Sequence, residues 1–344
     1  MLNVGVLGLG KMGKLHLMNC KFIEDVKVIA VADASEKNLK WAKSRGINGL
    51  YHDYKELIEK ENIDAVIITL PHFLHVKSSI LAAEKGIGVF MEKPLANTVA
   101  EGELIINAIK KYGIKFMIGC NCRFIDSIEQ LKGMYDNGML GDVEIATLEN
   151  IGNGPFSPFL EPAPVPDWYF DPKEAGGGAF LDLGYHMIDL FQYFFQDVAL
   201  EYVQLGNRYN LPYEDNATAI LKSNKTSTRG IVNLGWYSRS VFPKFDFRVM
   251  LHGTADFAST DDFMPNVYLN AVKEGLGNVW RNVTQRKIKP LAYTYYYYSY
   301  FKELDHFFEC AKNDKKPRIS PEEALKTLTI IENGYNYKIK GETI

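Results

Sequence analysis

The sequence has few cysteines, no long apolar run and little excess charge of either sign. Its four cysteines are too few and too scattered for the disulfide framework of a small secreted protein. Cys120 and Cys122 lie close together, but no second pair of Cys or His residues lies at ligand spacing, so no metal site is predicted. The apolar runs are all shorter than the roughly 20 residues that a membrane-spanning helix needs. These absences leave a globular protein of a reducing compartment as the expectation.

The charge balance also excludes several classes of partner. A net charge of −3 provides no basic field that would attract nucleic acid or an anionic membrane. The first residues enter an apolar run directly, without the basic region that opens a signal peptide. We therefore expect a cytoplasmic protein with neither a nucleic acid nor a membrane as a partner, and the 344 residues suggest two domains.

Short apolar runs alternate with amphipathic stretches up to about residue 119. The helical period is clearest at 99–112, where Ile105 and Ala108 share one side and Glu101 and Lys111 lie on the other. Strand–helix alternation of this kind predicts a parallel sheet covered on both faces by helices. Strands are predicted at 4–7, 28–32, 65–69, 89–91 and 115–118, and helices at 12–22, 36–44, 54–61, 76–84 and 99–112.

The pattern changes after residue 119. Longer strand-like runs appear between residues 143 and 251, which predicts a mixed or largely antiparallel sheet. Further helices are predicted at about 178–195, 296–312 and 321–338. The expected fold is α/β, with a doubly wound parallel sheet in residues 1–119 and an α+β domain with a large open, mostly antiparallel sheet in residues 120–344. The last helix is expected to pack back on the N-terminal domain.

A glycine motif, Gly8-Leu9-Gly10-Lys11-Met12-Gly13, follows the first predicted strand and opens the first predicted helix. This context turns a weak G-x-G-x-x-G match into a dinucleotide-binding signature. Gly8 allows the tight turn, Gly10 lets a pyrophosphate approach the backbone, and Gly13 lets helix and strand pack closely. The helix N-terminus would present N–H groups and a positive dipole end to the phosphates. The motif predicts a Rossmann domain whose cofactor contacts include Gly8, Gly10, Lys11, Met12 and Gly13.

Asp33 ends the second predicted strand, about 20 residues after the glycine motif, where an acidic side chain binds the ribose hydroxyls. An alternative is that Asp33 caps the next helix, but Ser35 is available for that role. A carboxylate at this place disfavours the 2′-phosphate of NADP, and Ala34, Ser35 and Glu36 follow it rather than an Arg. NAD is therefore the predicted cofactor, in preference to NADP.

Two further motifs carry candidate catalytic groups. Glu92-Lys93-Pro94 directly follows a predicted strand, and the carboxyl end of such a strand faces the ligand crevice, so Lys93 can reach a bound substrate. The second motif begins with three glycines at 176–178 and leads into a predicted helix, on which Asp182 and His186 share one face. A His beside a carboxylate is a natural general acid or base. Each motif also has an alternative interpretation when it is considered alone. Lys93 could be an ordinary surface lysine in a loop, and His186 could be a histidine that is hydrogen-bonded within a helix interface.

Together these motifs resemble those of the Gfo/Idh/MocA family of oxidoreductases, and the resemblance covers essentially the whole chain. The glycine motif, the Glu-Lys-Pro segment and the pattern GGGxxxDxGxHxxD, at residues 176–189, occur in the family's order and at its spacing. The resemblance implies a substrate cleft between two domains. It also implies hydride transfer between nicotinamide and a hydroxyl or keto carbon of a sugar, polyol or sugar nucleotide.

The same resemblance assigns roles to individual residues. Lys93, Asp182 and His186 match the family's catalytic Lys, Asp and His. His186 would take the hydroxyl proton, Lys93 would stabilise negative charge on the same oxygen, and Asp182 would position the hydroxyl or support the proton relay. A cis peptide bond is expected before Pro94. Further contacts are expected to the cofactor from Thr69, Pro71, His75, Glu92 and Lys93, and to the substrate from Lys93, Arg123, Trp168, Asp182 and His186.

Two other functions stay open at this point. Some relatives are NAD-dependent glycosidases that oxidise the sugar transiently, and the family also includes a non-enzymatic regulator. The intact set of Lys93, Asp182 and His186 argues against a regulator, which has no need of acid–base groups. The resemblance further implies a homodimer or homotetramer that forms through the free face of the C-terminal sheet.

Overall fold

The computed structural model describes residues 1–155, 166–236, 246–264, 266–284, 286–290 and 295–341. Contacts divide the chain into two compact units, of which the first combines residues 1–96, 100–124 and 266–322. The second unit combines residues 97–99, 125–265 and 323–344, so all but the first two residues of the last helix belong to it. That residues 1–119 bind the cofactor and residues 120–344 bind the substrate stays a prediction.

The first unit is built on a sheet of six parallel strands. In chain order these are β1 (Leu2–Leu7), β2 (Val26–Ala32), β3 (Gly49–Tyr51), β4 (Ala65–Ile68), β5 (Gly88–Glu92) and β6 (Phe116–Gly119). Their order in the sheet is β3-β2-β1-β4-β5-β6, so the sheet grows in opposite directions from β1 and β4. Ligands of such sheets bind at this switch point, outside the carboxyl ends of the strands. The predicted doubly wound sheet is confirmed.

Helices connect the strands and continue through the rest of the chain. They are α1 (Lys11–Cys20), α2 (Glu36–Lys43), α3 (Tyr54–Lys60), α4 (His75–Glu84), α5 (Val99–Tyr112), α6 (Asp126–Asp136), α7 (Pro172–Ala175), α8 (Ala179–Phe195), α9 (Val267–Val283), α10 (Tyr295–Lys312) and α11 (Pro321–Gly341). Of the described helices, none is both long and apolar enough to cross a membrane.

The second unit contains a mixed sheet covered on one face by α8. Its strands are β7 (Val143–Ile151), β8 (Val198–Gly206), β9 (Asn216–Ser223), β10 (Arg229–Gly235), β11 (Asp246–Gly253) and β12 (Phe257–Ser259). In the order β12-β11-β7-β10-β9-β8, only the β7–β10 pair of the described strands is parallel. Alternation sends Val232 and Leu234 of β10 into the core and leaves Arg229 and Ile231 outward. The predicted, mostly antiparallel sheet is confirmed.

Sequence patterns did not predict five of the described elements: β3, β12, α6, α7 and α9. The two strands have three residues each, which is too short for a period of two to be visible. Helix α6 buries Ser127, Ile128 and Leu131, a narrow apolar face between charged residues. Helix α9 has a clear apolar period, with Leu269, Val272 and Leu276 three and four residues apart.

Candidate functional site

The glycine loop lies at the carboxyl end of β1. Gly8 has a positive φ of 89°, and a Cβ at Gly8 would lie 2.6 Å from the carbonyl oxygen of Thr69. A Cβ at Gly13 would lie 1.9 Å from the carbonyl oxygen of Gly8. Both positions require glycine, because a larger residue would push the loop away from β4 or from α1.

Gly10 differs from its neighbours, because no heavy atom of the described residues comes within 4 Å of a Cβ built there. Helix α1 begins at Lys11, and no side chain in the described part of the chain caps its first turn. The N–H groups of that turn and the positive dipole end are therefore available to an anion. Lys11 is exposed beside them, and Met12 is half-buried. These features fit the pyrophosphate of a dinucleotide.

The Asp33 carboxylate is held by three donors at the end of β2. Its Oδ2 accepts from the backbone N–H of Leu9 at 2.6 Å, and its Oδ1 accepts from the N–H of Ser35 at 2.8 Å. The side-chain amide of Asn38 also donates to Oδ1 at 3.0 Å. Ser35 occupies the cap position of α2, but its side chain makes no capping hydrogen bond with the described residues. The bond to Leu9 ties the carboxylate to the glycine loop, where a ribose would lie beside the pyrophosphate.

The loop after β4 contacts the glycine loop on its other side. Thr69 Oγ1 donates to the carbonyl oxygen of Gly8 at 2.7 Å, and Pro71 is half-buried. His75 is fully buried, with Nδ1 2.8 Å from the carbonyl oxygen of Pro94 and Nε2 3.0 Å from that of Leu70. Burial lowers the pKa of His75, so the neutral ring donates through one nitrogen to one of these carbonyls. His75 therefore joins the loop after β4 to the loop that carries Lys93.

Lys93 follows β5, is half-buried and precedes the expected cis peptide bond to Pro94. The residue before it, Glu92, is 8% exposed and accepts a 2.6 Å hydrogen bond from His16 Nε2 of α1. Glu303 of α10 completes a buried cluster, in which one polar atom from each of the three side chains lies within 4.8 Å of the others. The candidate catalytic Lys is thus attached to a buried group of titratable side chains.

The cluster of His16, Glu92 and Glu303 is better explained by proton binding than by a metal ion. Two ligands of a tetrahedral zinc ion stand about 3.3 Å apart, which is longer than the 2.6 Å between His16 and Glu92. Neither carboxylate oxygen of Glu303 has a hydrogen-bond partner among the described residues. Burial, and after it the charge of Glu92, raise the pKa of Glu303 well above its usual value of about 4.5. Burial therefore favours the neutral, protonated form of Glu303.

Replacing Glu303 with Gln is expected to remove a pH dependence of stability. The neutral acid stabilises the fold fully below the unfolded pKa, and this contribution is lost as the pH rises toward the raised folded pKa. Over that window the free energy of unfolding should fall by about 1.4 kcal/mol per pH unit in the wild type and not in E303Q. Denaturant titrations at several pH values measure the slope. The matched control is Glu309→Gln, exposed on the same helix; equal slopes in E303Q and wild type would refute the assignment.

Arg123 lies in a tight turn after β6, with 1% of its surface exposed. The turn packs against α10, where the Asn121 amide donates to Ser299 Oγ at 2.9 Å. The guanidinium of Arg318 donates to the carbonyl oxygen of Arg123 at 3.3 Å and stacks 4.5 Å from the ring centre of Phe124. Contact between Arg123 and the substrate stays a prediction.

Helix α8 carries Asp182 and His186 one turn apart. Its N-terminus has no side-chain cap of its own at Gly178, and Glu214 from a distant loop supplies one. Glu214 Oε1 accepts from the N–H groups of Gly178 at 3.0 Å and Phe180 at 2.9 Å. A Cβ at Gly178 would lie 1.9 Å from the carbonyl oxygen of Glu214, so this glycine is what admits the capping loop. Gly178 and Glu214 therefore fix the start of the helix that carries Asp182 and His186.

Aromatic side chains surround the exposed edge of this helix. Trp168 lies 5.6 Å from the ring of Tyr169, and the Tyr213 hydroxyl donates to the carbonyl oxygen of Tyr169 at 2.6 Å. Burial, and after it the negative charge of Asp182, raise the pKa of Tyr169 well above its usual value of about 10. The ring of Tyr213 lies against Gly178, 2.8 Å from a Cβ built there, so the second unit brings this aromatic group to the start of α8.

Each unit thus gathers its own predicted residues. The first brings the glycine loop, Asp33, Thr69 and Lys93 to the carboxyl ends of neighbouring strands, and the second carries Trp168 and the α8 pair. Sequence reasoning missed the residues that support these groups: His16, Tyr169, Tyr213, Glu214 and Glu303. Of these, His16 alone had a local signal, because it lies on α1 three residues after the glycine motif.

Comparisons with known proteins agree with this arrangement. The model described as an oxidoreductase family with an NAD-binding Rossmann fold (GFO_IDH_MocA) matches residues 2–120. The model of the GFO/IDH/MocA C-terminal domain matches residues 128–258. The two matches cover the glycine loop and Lys93 in one case and the α8 pair in the other.

Individual proteins resemble the chain over nearly its full length. The myo-inositol 2-dehydrogenase of Thermotoga maritima is 26% identical over 96% of this chain and 94% of that protein. The scyllo-inositol 2-dehydrogenase (NAD(+)) of Bacillus subtilis is 26% identical over 94% of this chain and 90% of that protein. A crystal structure of a probable dehydrogenase from Thermotoga maritima has a TM-score of 0.79 at 25% identity, covering 98% of this chain and 97% of that one.

Proposed function

Because the chain belongs to the Gfo/Idh/MocA family of NAD-dependent oxidoreductases, we propose that its substrate is a sugar or polyol whose hydroxyl carbon is oxidised, or whose keto carbon is reduced. The observation that carries this proposal is the face of α8, where Asp182 and His186 lie one turn apart. The names of the similar dehydrogenases, which include two inositol 2-dehydrogenases, support the substrate class.

Three side chains, those of His186, Lys93 and Asp182, have different roles at the reacting oxygen of the substrate. When bound, NAD exchanges the hydride with the substrate carbon. His186 takes the hydroxyl proton during oxidation and returns it during reduction, because its ordinary pKa lies near neutral pH. Lys93 donates a hydrogen bond to the same oxygen and stabilises its developing negative charge. Asp182 orients the hydroxyl or supports the proton relay.

The cofactor contacts that we propose are the glycine loop, Asp33, and the loops after β4 and β5. We propose NAD rather than NADP as the cofactor because of Asp33. Its negative carboxylate would repel the negative 2′-phosphate of NADP. Thr69 and Pro71 line the nicotinamide side. Cofactor contacts are also predicted for Glu92 and His75, which are both buried, so we propose that these two act through the position of Lys93. For the substrate we propose contacts with Lys93, Arg123, Trp168, Asp182 and His186.

Nicotinamide absorbance tests the proposal directly. The purified protein is mixed with NAD or NADP and with inositols, free sugars or sugar nucleotides in turn. We expect reduced cofactor to accumulate with one substrate class, at a kcat/KM about 100-fold higher with NAD than with NADP. No signal from any substrate, with cofactor still bound, would contradict a dehydrogenase. Hydrolysis of a chromogenic glycoside would then identify a glycosidase, and its absence a regulator.

Assembly and location belong to the same proposal. We propose a homodimer or homotetramer through the face of the second sheet that α8 leaves open, where Ile145, Tyr202 and Ile231 are exposed among ion pairs. A cytoplasmic location is supported by the four cysteines, which are all free and buried, as expected in a reducing compartment.

A further inference from the structure

Helix α9 presents an apolar stripe to solvent. At 100° per residue, seven of its side chains project within an arc of about 120°. All seven are between 60% and 85% exposed, and they are Tyr268, Leu269, Val272, Leu276, Val279, Trp280 and Val283. This set, called the α9 stripe below, is the face that an ordinary surface helix would turn toward its own core.

The polar side of α9 faces its own chain instead. Asn278 makes two hydrogen bonds of 2.8 Å with the backbone of Lys289, one donated by its amide and one accepted by its carbonyl oxygen. Glu274 and Arg281 form an ion pair of 2.6 Å within the helix. The contacts with residue 289 lie on the side of α9 away from the stripe, and the stripe itself is exposed.

The stripe is too large to be an ordinary feature of a monomer. With roughly 150–250 Å² for each large aromatic side chain, and less for Val and Leu, it exposes on the order of 900 Å². Monomeric proteins rarely expose contiguous apolar patches of more than a few hundred Å². A stable protein–protein interface buries about 800 Å² on each partner, which is close to the area of the stripe.

We propose that the α9 stripe pairs with the α9 stripe of a second copy of this chain. Leu269, Val272, Leu276, Val279 and Val283 follow the spacing 3-4-3-4 that two packed helices use. A two-fold axis at Leu276 makes the stripe complementary to itself, because an antiparallel pair sets position 269 against 283 and 272 against 280. The seven side chains are uncharged, and the Glu274–Arg281 pair lies on the other side of the helix, so the stripe itself brings no charge into the pair.

Two cationic side chains lie beside the stripe. At 100° per residue, Lys273 projects about 20° beyond Trp280, and the guanidinium of Arg286 lies 5.7 Å from the centre of the Trp280 ring. Cations beside an apolar face also suit an anionic membrane, so the choice of a second copy rests on the area of the stripe and on its self-complementary spacing. This interface is also separate from the one proposed for the second sheet, whose open face carries ion pairs such as Glu201–Arg229.

Sedimentation velocity with two charge-matched variants tests the pairing. Leu276→Glu places a carboxylate at the centre of the stripe, and Asn270→Glu places the same charge on the polar side of the same helix. Both positions are exposed, so both variants should fold, which thermal melts would check. We expect L276E to raise the dissociation constant of one association step at least about 100-fold, because two copies of Leu276 are lost from the interface. Asn270→Glu should behave as the wild type.

Cross-linking examines the geometry of the same pair. All four native cysteines are buried, so a Leu276→Cys variant carries one exposed thiol. We expect mild oxidation to link two copies of L276C and not two copies of Asn270→Cys. Equal masses for wild type and L276E, or no cross-link at Leu276, would overturn the proposal. Binding to vesicles of anionic lipid that is lost in L276E, without any change of mass in solution, would assign the stripe to a membrane and also overturn it.

Discussion

Replacing His186 with Ala is expected to lower turnover about 10²–10⁴-fold, which is the usual effect of removing a general acid or base. Cofactor binding should be unchanged, because the glycine loop, Asp33 and Lys93 all belong to the first unit and His186 to the second. Stopped-flow measurement of the hydride step and titration of NAD by fluorescence would separate the two properties. Turnover falls because, without the imidazole, the hydroxyl proton has to move to water, and no positioned base assists its transfer.

The control for His186 is another histidine on the same unit. His252 of β11 is exposed, and His252→Ala should leave both turnover and NAD binding as in the wild type. The pH profile gives a second readout, since the limb that reports the base in kcat should disappear in H186A and persist in H252A. A near-full rate in H186A would mean that another group takes the proton.

Replacing Gly10 with Val is expected to abolish most cofactor binding while the protein folds normally. A Cβ at Gly10 meets no heavy atom of the described residues within 4 Å, so the added side chain projects into the space where the pyrophosphate would lie. Overpacking of about 1–3 kcal/mol would weaken NAD binding roughly 10- to 100-fold. Calorimetric titration with NAD measures the loss, and the melting temperature without cofactor should stay close to that of the wild type.

Substitutions at two other glycines serve as controls for Gly10→Val. Gly133 of α6 is equally open, so Gly133→Val introduces the same side chain away from the loop and should not alter NAD binding. Gly13→Val should lower the melting temperature instead, because a Cβ there would lie 1.9 Å from the carbonyl oxygen of Gly8. If G10V bound NAD as well as the wild type, the pyrophosphate would have to lie elsewhere.

Local patterns were sufficient for most of the fold. Five of the six strands of the first sheet, and helices α1 to α5, follow from apolar runs of three to five residues and from a helical period, and both signals depend only on neighbours along the chain. The same holds for the pairing of Asp182 with His186, because four residues along a helix always return to one face. The very short strands β3 and β12 were missed, because they carry too few residues for any period.

The supports of the site could not be predicted in this way. Asp33 receives a hydrogen bond from Leu9, which is 24 residues away, and Glu214 caps a helix that begins at Ala179. His16, Glu92 and Glu303 are far apart in sequence and meet only because α1, β5 and α10 pack together. No spacing rule connects such residues, because their distance depends on how whole elements are arranged.

The amino-acid sequence by itself determined the class of fold, the glycine loop and the placement of Asp182 and His186 on one face of α8, since each depends on interactions between near neighbours. Only the tertiary structure decided that burial raises the pKa of Glu303, that Glu214 holds the start of α8, and that the apolar side of α9 faces outward. The physical reason is the same in all three cases. Burial and the electrostatic field at a side chain are set by the elements packed around it, and a linear pattern does not contain them.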